Sequence, residues 1–157
     1  MDQYLERIQN LATTDQCETF ARNALNAKPQ RHDLAIAAYK RAIEILTAQY
    51  TQQHNTATLS EVEKACISAV YAYERCLSLK NGRKTRANRT WQMIQRHGIL
   101  QAAERAVDRP EETLGYQTLV EAGLGEFAFE HIIVRYPDQF SVSAVQRSAQ
   151  RLGEMNS

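Results

Sequence analysis

The fold is decided by the stretch from residue 60 to residue 82, which reads SEVEKACISAVYAYERCLSLKNG. Ser60 and Glu63 have the S-x-x-E spacing of a capping box, in which each side chain satisfies a backbone N–H of the first helical turn. Asn81-Gly82 supplies the left-handed residue that ends many helices. Between these signals, apolar residues recur at the steps of one helical face: Val62, Cys66, Ala69, Tyr73 and Cys76.

A second long helix is predicted upstream, beginning near Asp33. Its apolar residues also stay on a single face: Ile36, Tyr39, Ile43, Leu46 and Tyr50. We expect the two long helices to pack as an antiparallel pair, which is the commoner use of such a seam within one chain. Regular seams of this kind also join two subunits, so self-association stays open as an alternative.

Shorter helices are predicted around this pair. Two precede it, the second of which ends at Pro29. Downstream, the predicted helices cover residues 84–97 and 99–107, a segment opening at Arg109-Pro110, residues 127–136, and a last segment from Ser141 or Ser143 to Leu152. The sequence therefore predicts an all-α, single-domain bundle of about seven or eight helices over residues 1–157. Asn81-Gly82 marks a candidate seam between two sub-domains.

Composition supports the same class. The chain has 157 residues, 43% of them hydrophobic, and only 6 Gly and 3 Pro, which leaves few turn formers for an all-β fold. No apolar stretch has the length of a membrane span, and the first segment lacks the apolar centre of a signal peptide. We therefore expect a cytoplasmic protein. Its three cysteines are expected to be small buried residues rather than a disulfide or zinc framework: Cys17, Cys66 and Cys76.

Charge is distributed unevenly. The net charge is +1, but residues 80–109 contain eight basic and two acidic residues, a local net charge of +6, which leaves −5 for the rest of the chain. Such polarity predicts a partner for the basic segment.

Four arginines share one face when residues 83–97 are drawn as a helix, and we call Arg83, Arg86, Arg89 and Arg96 the arginine stripe. Trp91 falls on a separate arc that the helix can bury. Because arginine presents a planar fork of donors, the stripe suits phosphate groups, or else an acidic protein. A solvated face explains the same residues. The candidate polyanion-binding residues are Lys80, Arg83, Lys84, Arg86, Arg89 and Arg96.

Signals for catalysis and for metals are weak. No P-loop, nucleophile-elbow, zinc-protease or dinucleotide motif occurs. The sharpest combination is His97 with Glu104 or Asp108, one of which would act as a general base on a phosphorylated substrate. A histidine beside Gly98 at a helix end explains the same pattern structurally.

Glu126, Glu130 and His131 form the best pattern of metal ligands, but no second ligand segment accompanies them. The sequence therefore predicts no metal ion and no cofactor.

Two resemblances are carried by particular residues. Ala35, Tyr39 and Ala42 resemble the second helix of a tetratricopeptide repeat, which implies a helical hairpin and protein binding. The block from Asn81 to Gly98, with Arg135-Tyr136-Pro137, resembles a family of small uncharacterised bacterial all-helical proteins. That resemblance implies a bacterial source and no particular activity.

The leading functional hypothesis is a non-enzymatic helical protein that contacts nucleic acid, in the form of duplex backbone, or another polyanion through the arginine stripe. The alternative is a protein-interaction or regulatory module that binds itself or an acidic partner through the long-helix seam or through residues 127–136. A third hypothesis is a small enzyme acting on a phosphorylated substrate through His97.

Overall fold

The computed structural model describes residues 3–54, 59–108 and 112–155. In those ranges the chain forms nine α-helices and no strand, so the all-α prediction is confirmed. The α-helices are α1 Gln3–Gln9, α2 Thr14–Asn26, α3 His32–Gln53, α4 Glu61–Asn81, α5 Asn88–His97, α6 Ile99–Val107, α7 Glu112–Glu121, α8 Phe129–Arg135 and α9 Val142–Met155. Short 3-10 helices cover Gly125–Phe127 and Pro137–Gln139. The predicted helix opening at Arg109-Pro110 lies, in its first three residues, outside the described ranges.

The chain divides into two compact units, Met1–Thr56 and Ala57–Ser157. Helices α1 to α3 belong to the first unit and α4 to α9 to the second. The Asn81-Gly82 turn lies inside the second unit. The two long helices α3 and α4 belong to different units, and their antiparallel pairing stays a prediction.

The first unit is built on a hairpin of α2 and α3. Thr13 caps α2, because its Oγ1 accepts a hydrogen bond from the Gln16 N–H at 3.1 Å. The Gln16 side-chain oxygen in turn accepts a hydrogen bond from the Thr13 N–H. Small residues let the two helices approach closely, and the residues that resemble a tetratricopeptide helix are buried. The core of this unit contains Ile8, Ala21, Ala24, Leu34, Ala35, Ala38 and Tyr39.

The ends of α4 form as the sequence predicts. The Ser60 Oγ accepts a hydrogen bond from the Glu63 N–H at 3.2 Å, and the Glu63 carboxylate accepts one from the Ser60 N–H at 3.0 Å. Gly82 ends the helix with a φ of 69°, in the left-handed region that glycine adopts without a steric penalty.

The core of the second unit contains residues from α4, α6, α8 and α9. The predicted helix over residues 127–136 forms over residues 129–135, because Phe127 belongs to a 3-10 helix and Ala128 is extended, and Ile132 and Ile133 are fully buried. The Ser141 Oγ accepts a hydrogen bond from the Ala144 N–H at 3.1 Å at the start of α9. That helix continues to Met155, three residues beyond its predicted end, because Gly153 does not interrupt it.

All three cysteines are free and buried, as predicted. Burial raises the pKa of the Cys66 thiol to about 12 and that of the Cys76 thiol to about 11. Both thiols therefore stay protonated at neutral pH and lack the ionised form that reacts or binds metals.

Candidate functional site

An open groove with a volume of about 300 Å³ lies between α5 and α6. Five of its lining residues come from α5 at the spacing of one helical face, and the sixth comes from α6. The groove residues are Arg89, Gln92, Met93, Arg96, His97 and Arg105. We call this surface the arginine groove.

Gly98 directs α6 so that Arg105 meets the face of α5. Its φ of 87° and ψ of 165° fall in a region that is essentially restricted to glycine. The Gly98 N–H donates to the Ile94 carbonyl at 2.9 Å, and the Gly98 carbonyl accepts from the Ala102 N–H at 3.0 Å. A single residue thus ends one helix and begins the next.

The opposite face of α6 fixes its orientation. Ala102, Ala103, Ala106 and Val107 are buried, and Ala103 and Val107 belong to the core of the second unit. Arg105 therefore lies on the side of α6 that faces solvent and the groove.

Glu74 of α4 holds the start of α5. Its Oε2 accepts hydrogen bonds from the Ala87 N–H at 2.9 Å, the Trp91 Nε1–H at 2.6 Å and the Arg86 Nε–H at 3.1 Å. The Glu74 side chain is only 12% exposed. The N-cap residue Ala87 has no side chain that can cap α5, and the Glu74 carboxylate binds the Ala87 N–H in the way that the N3 carboxylate of a capping box does.

Aromatic contacts complete the attachment of α5. The Trp91 and Tyr71 rings lie with their centroids 5.2 Å apart, and the Arg86 guanidinium lies 5.7 Å from the Trp91 ring centre. Trp91 is half-buried, and no residue of α5 is fully buried. Helix α5 therefore contacts α4 through the side of the helix that carries Trp91, and most of its remaining surface is exposed to solvent.

The charges of the groove are unbalanced. Arg89, Arg96 and Arg105 are exposed, and within the described residues none of the three makes an ion pair or a side-chain hydrogen bond. The groove lining contains no carboxylate. Three guanidiniums facing one space without a counter-charge repel one another, and an anion placed between them would relieve that repulsion.

The prediction that the four arginines of the arginine stripe share one helical face is wrong. Because α5 begins at Asn88, Arg83 and Arg86 precede the helix, and only Arg89 and Arg96 share its face. Arg86 forms an ion pair with Glu74 instead.

The segment before α5 is held in a non-helical conformation by α4. The Ser78 Oγ accepts a hydrogen bond from the Thr85 N–H at 2.9 Å, and the Asn81 side chain donates to the Thr85 Oγ1 at 3.2 Å. The remaining candidates of the stripe, Lys80, Arg83 and Lys84, are exposed at the end of α4 and in this segment.

Arg105 is the groove arginine that does not belong to the arginine stripe. Its charge belongs to the basic segment of the sequence, but it lies on the next predicted helix, residues 99–107, and so outside the stripe. The sequence contains a signal for this contact: the two helices are joined by a single glycine, and helices with so short a connection lie next to each other.

His97 and Glu104 are not brought together in the groove. His97 lines it, whereas the Glu104 Oε1 accepts a hydrogen bond from the Ser141 N–H at 2.6 Å and so faces the start of α9. Asp108 forms an ion pair with Arg147 at 2.6 Å. Neither carboxylate is among the groove residues, so His97 lies apart from both of the carboxylates with which the enzymatic hypothesis combined it.

Two residues of the weak metal-ligand pattern, Glu130 and His131, have other partners. The Glu130 carboxylate pairs with Arg151 at 3.2 Å, and the His131 Nε2 lies 3.3 Å from the Tyr116 hydroxyl. Across the described part of the chain, no three His, Cys, Asp or Glu side chains group as metal ligands would.

Residues 127–136 contribute mainly to the core. Ile132 and Ile133 are buried in the second unit, whereas Val134 is 38% exposed. Most of the apolar surface that the interaction hypothesis assigned to this segment is therefore already covered.

Comparisons with protein-family models, with curated proteins and with solved structures give no match for this chain. The resemblance to small bacterial helical proteins stays a hypothesis. No helix in the described ranges combines the length and the apolar character that crossing a membrane requires.

Proposed function

We propose that the protein binds nucleic acid and that the arginine groove contacts the phosphate groups of the nucleic acid. The observation that supports this proposal is the set of three exposed guanidiniums, Arg89, Arg96 and Arg105, which share one groove that lacks a carboxylate. Arginine forks match phosphate oxygens in geometry and stay charged at every physiological pH.

The pairing of other arginines supports a functional interpretation of the groove over a merely solvated face. Elsewhere in the described residues, ion pairs with Asp or Glu are formed by Arg31, Arg41, Arg86, Arg147 and Arg151. The groove concentrates three arginines without such a partner. A surface that kept these charges only for solubility would gain from interspersed acidic residues.

The proposal is tested by fluorescence anisotropy with a labelled DNA duplex across a salt series. We expect binding at about 50 mM salt, with an affinity that falls steeply as salt rises. The triple variant Arg89→Ala/Arg96→Ala/Arg105→Ala should bind more weakly and lower the salt slope, by about 2.7 where each arginine neutralises a separate phosphate and by less where the three share one.

A matched control removes three exposed positive charges outside the groove, by Arg22→Ala, Lys28→Ala and Arg135→Ala. This control has the same net charge as the groove variant, so it separates a local contact from the overall charge. The proposal is overturned when both variants bind equally well, or when the parent protein does not bind at about 50 mM salt.

A further inference from the structure

We infer that the arginine groove recognises the terminal phosphate monoester of a nucleic-acid strand rather than a row of internal phosphodiesters. This inference rests on the proposed function and narrows it to one chemical group. It is carried by the size of the groove, by its charge and by the number of donors that face it.

The size of the groove fits one nucleotide-sized group. A volume of about 300 Å³ is at the lower end of the range for small-molecule sites, about 300–1,000 Å³. The stripe, had it formed along one helix, would have offered a linear track for successive phosphates. The groove instead combines Arg105 of α6 with the face of α5, so the three arginines line one compact, open space.

The charge of the groove exceeds what one phosphodiester neutralises. Arg89, Arg96 and Arg105 contribute three positive charges, and no groove residue opposes them. A phosphodiester carries one negative charge, whereas a phosphate monoester carries about −1.5 to −2 at pH 7. The monoester therefore gains more from this site.

The donors of the groove also match a monoester in number. A terminal phosphate has three strong acceptor oxygens, one for each guanidinium fork. Gln92 and His97 add polar side chains to the lining, and Met93 adds an apolar side chain against which a sugar ring can pack. An internal phosphodiester has only two non-bridging oxygens and a single negative charge, so it offers the three arginines fewer acceptor positions and less charge.

The test compares two blunt DNA duplexes of identical sequence, one with a 5′-phosphate and one with a 5′-hydroxyl. At about 150 mM salt, the parent protein should bind the phosphorylated duplex about tenfold more tightly, as expected for one additional charge-assisted contact. A third duplex with a 3′-phosphate tests whether either end of a strand is accepted.

Two variants of Arg105 show whether the discrimination comes from the groove. Arg105→Ala should remove the preference for the phosphorylated duplex, whereas Arg135→Ala, which deletes an exposed arginine of α8, should keep it. Arg105→Lys keeps the charge but loses the planar fork, so it should reduce the preference by less than Arg105→Ala does.

The two proposals fail in different ways. If the groove variants weaken both duplexes equally and the parent shows no preference, the inference about the strand end is overturned and phosphate contact by the groove stands. If the parent binds neither duplex at about 50 mM salt, both proposals are overturned. A preference that survives Arg105→Ala also overturns the assignment of the strand end to this groove.

Discussion

The arginines of α9 and those of the arginine groove have opposite surroundings within the same compact unit. Arg151 lies 3.2 Å from Glu130 with both side chains almost fully buried, and Arg147 meets Asp108 at 2.6 Å. Arg89, Arg96 and Arg105 are exposed and meet no carboxylate in the described residues. The same residue type therefore connects helices in one region and stays available for a ligand in the other.

This difference has an energetic meaning. A buried charge must keep its partner, because an unpaired ion in the protein interior loses its hydration without compensation. An exposed charge keeps its hydration, so its removal changes the free energy of unfolding little. Variants of the two regions should therefore separate into those that affect stability and those that affect binding.

The largest expected effect is that of Arg151→Met. It leaves the Glu130 carboxylate buried at 5% exposure without its ion-pair partner, and we expect the free energy of unfolding to fall by about 3–5 kcal/mol. Urea denaturation monitored by circular dichroism measures the change. The double variant Glu130→Met/Arg151→Met removes both charges and should regain most of the loss. A loss below about 1 kcal/mol for Arg151→Met would show that α9 does not depend on this pair.

The next largest effect is that of Glu74→Ala. This substitution removes one acceptor shared by Arg86, Ala87 and Trp91, and we expect a loss of about 2–3 kcal/mol. Trp91 is the only tryptophan, so its fluorescence reports the same change and should shift toward the spectrum of an exposed indole.

Glu61→Ala is the matched control for that prediction. Glu61 pairs with Lys64 on α4 but its side chain is 83% exposed, so its removal should change stability by less than about 0.5 kcal/mol. Equal losses in the two variants would contradict a special role of Glu74 in holding α5. The groove depends on this attachment, because five of its residues belong to α5.

Much of the fold could be predicted from local signals. The capping box of Ser60 and Glu63, the left-handed Gly82 and the bounds of α6 follow from residues next to one another in the chain. Such signals act through backbone geometry, which neighbouring residues determine.

The start of α5 could not be predicted in this way. Residues 84–87 contain no helix breaker, yet the Ser78 hydroxyl and the Glu74 carboxylate bind the backbone of Thr85 and Ala87 from the adjacent α4. Tertiary acceptors thus override the local helical preference. The same contacts remove Arg86 from the candidate site, whereas the contribution of Arg105 depends on the turn at Gly98.

The smallest expected effect is that of Arg105→Met, which is the same substitution as Arg151→Met in the other region. Because Arg105 is exposed and has no carboxylate partner in the described residues, the free energy of unfolding should change by less than about 0.5 kcal/mol. The sign of this change tests whether the groove arginines repel one another. Removal of one of three like charges should stabilise the protein slightly at about 10 mM salt, where the screening length is about 30 Å, and this gain should vanish at about 1 M salt, where it is about 3 Å. Thermal unfolding of both proteins at the two salt concentrations measures it. A loss above about 1 kcal/mol would mean that Arg105 stabilises the fold, and the groove would then resemble the α9 region rather than contrast with it.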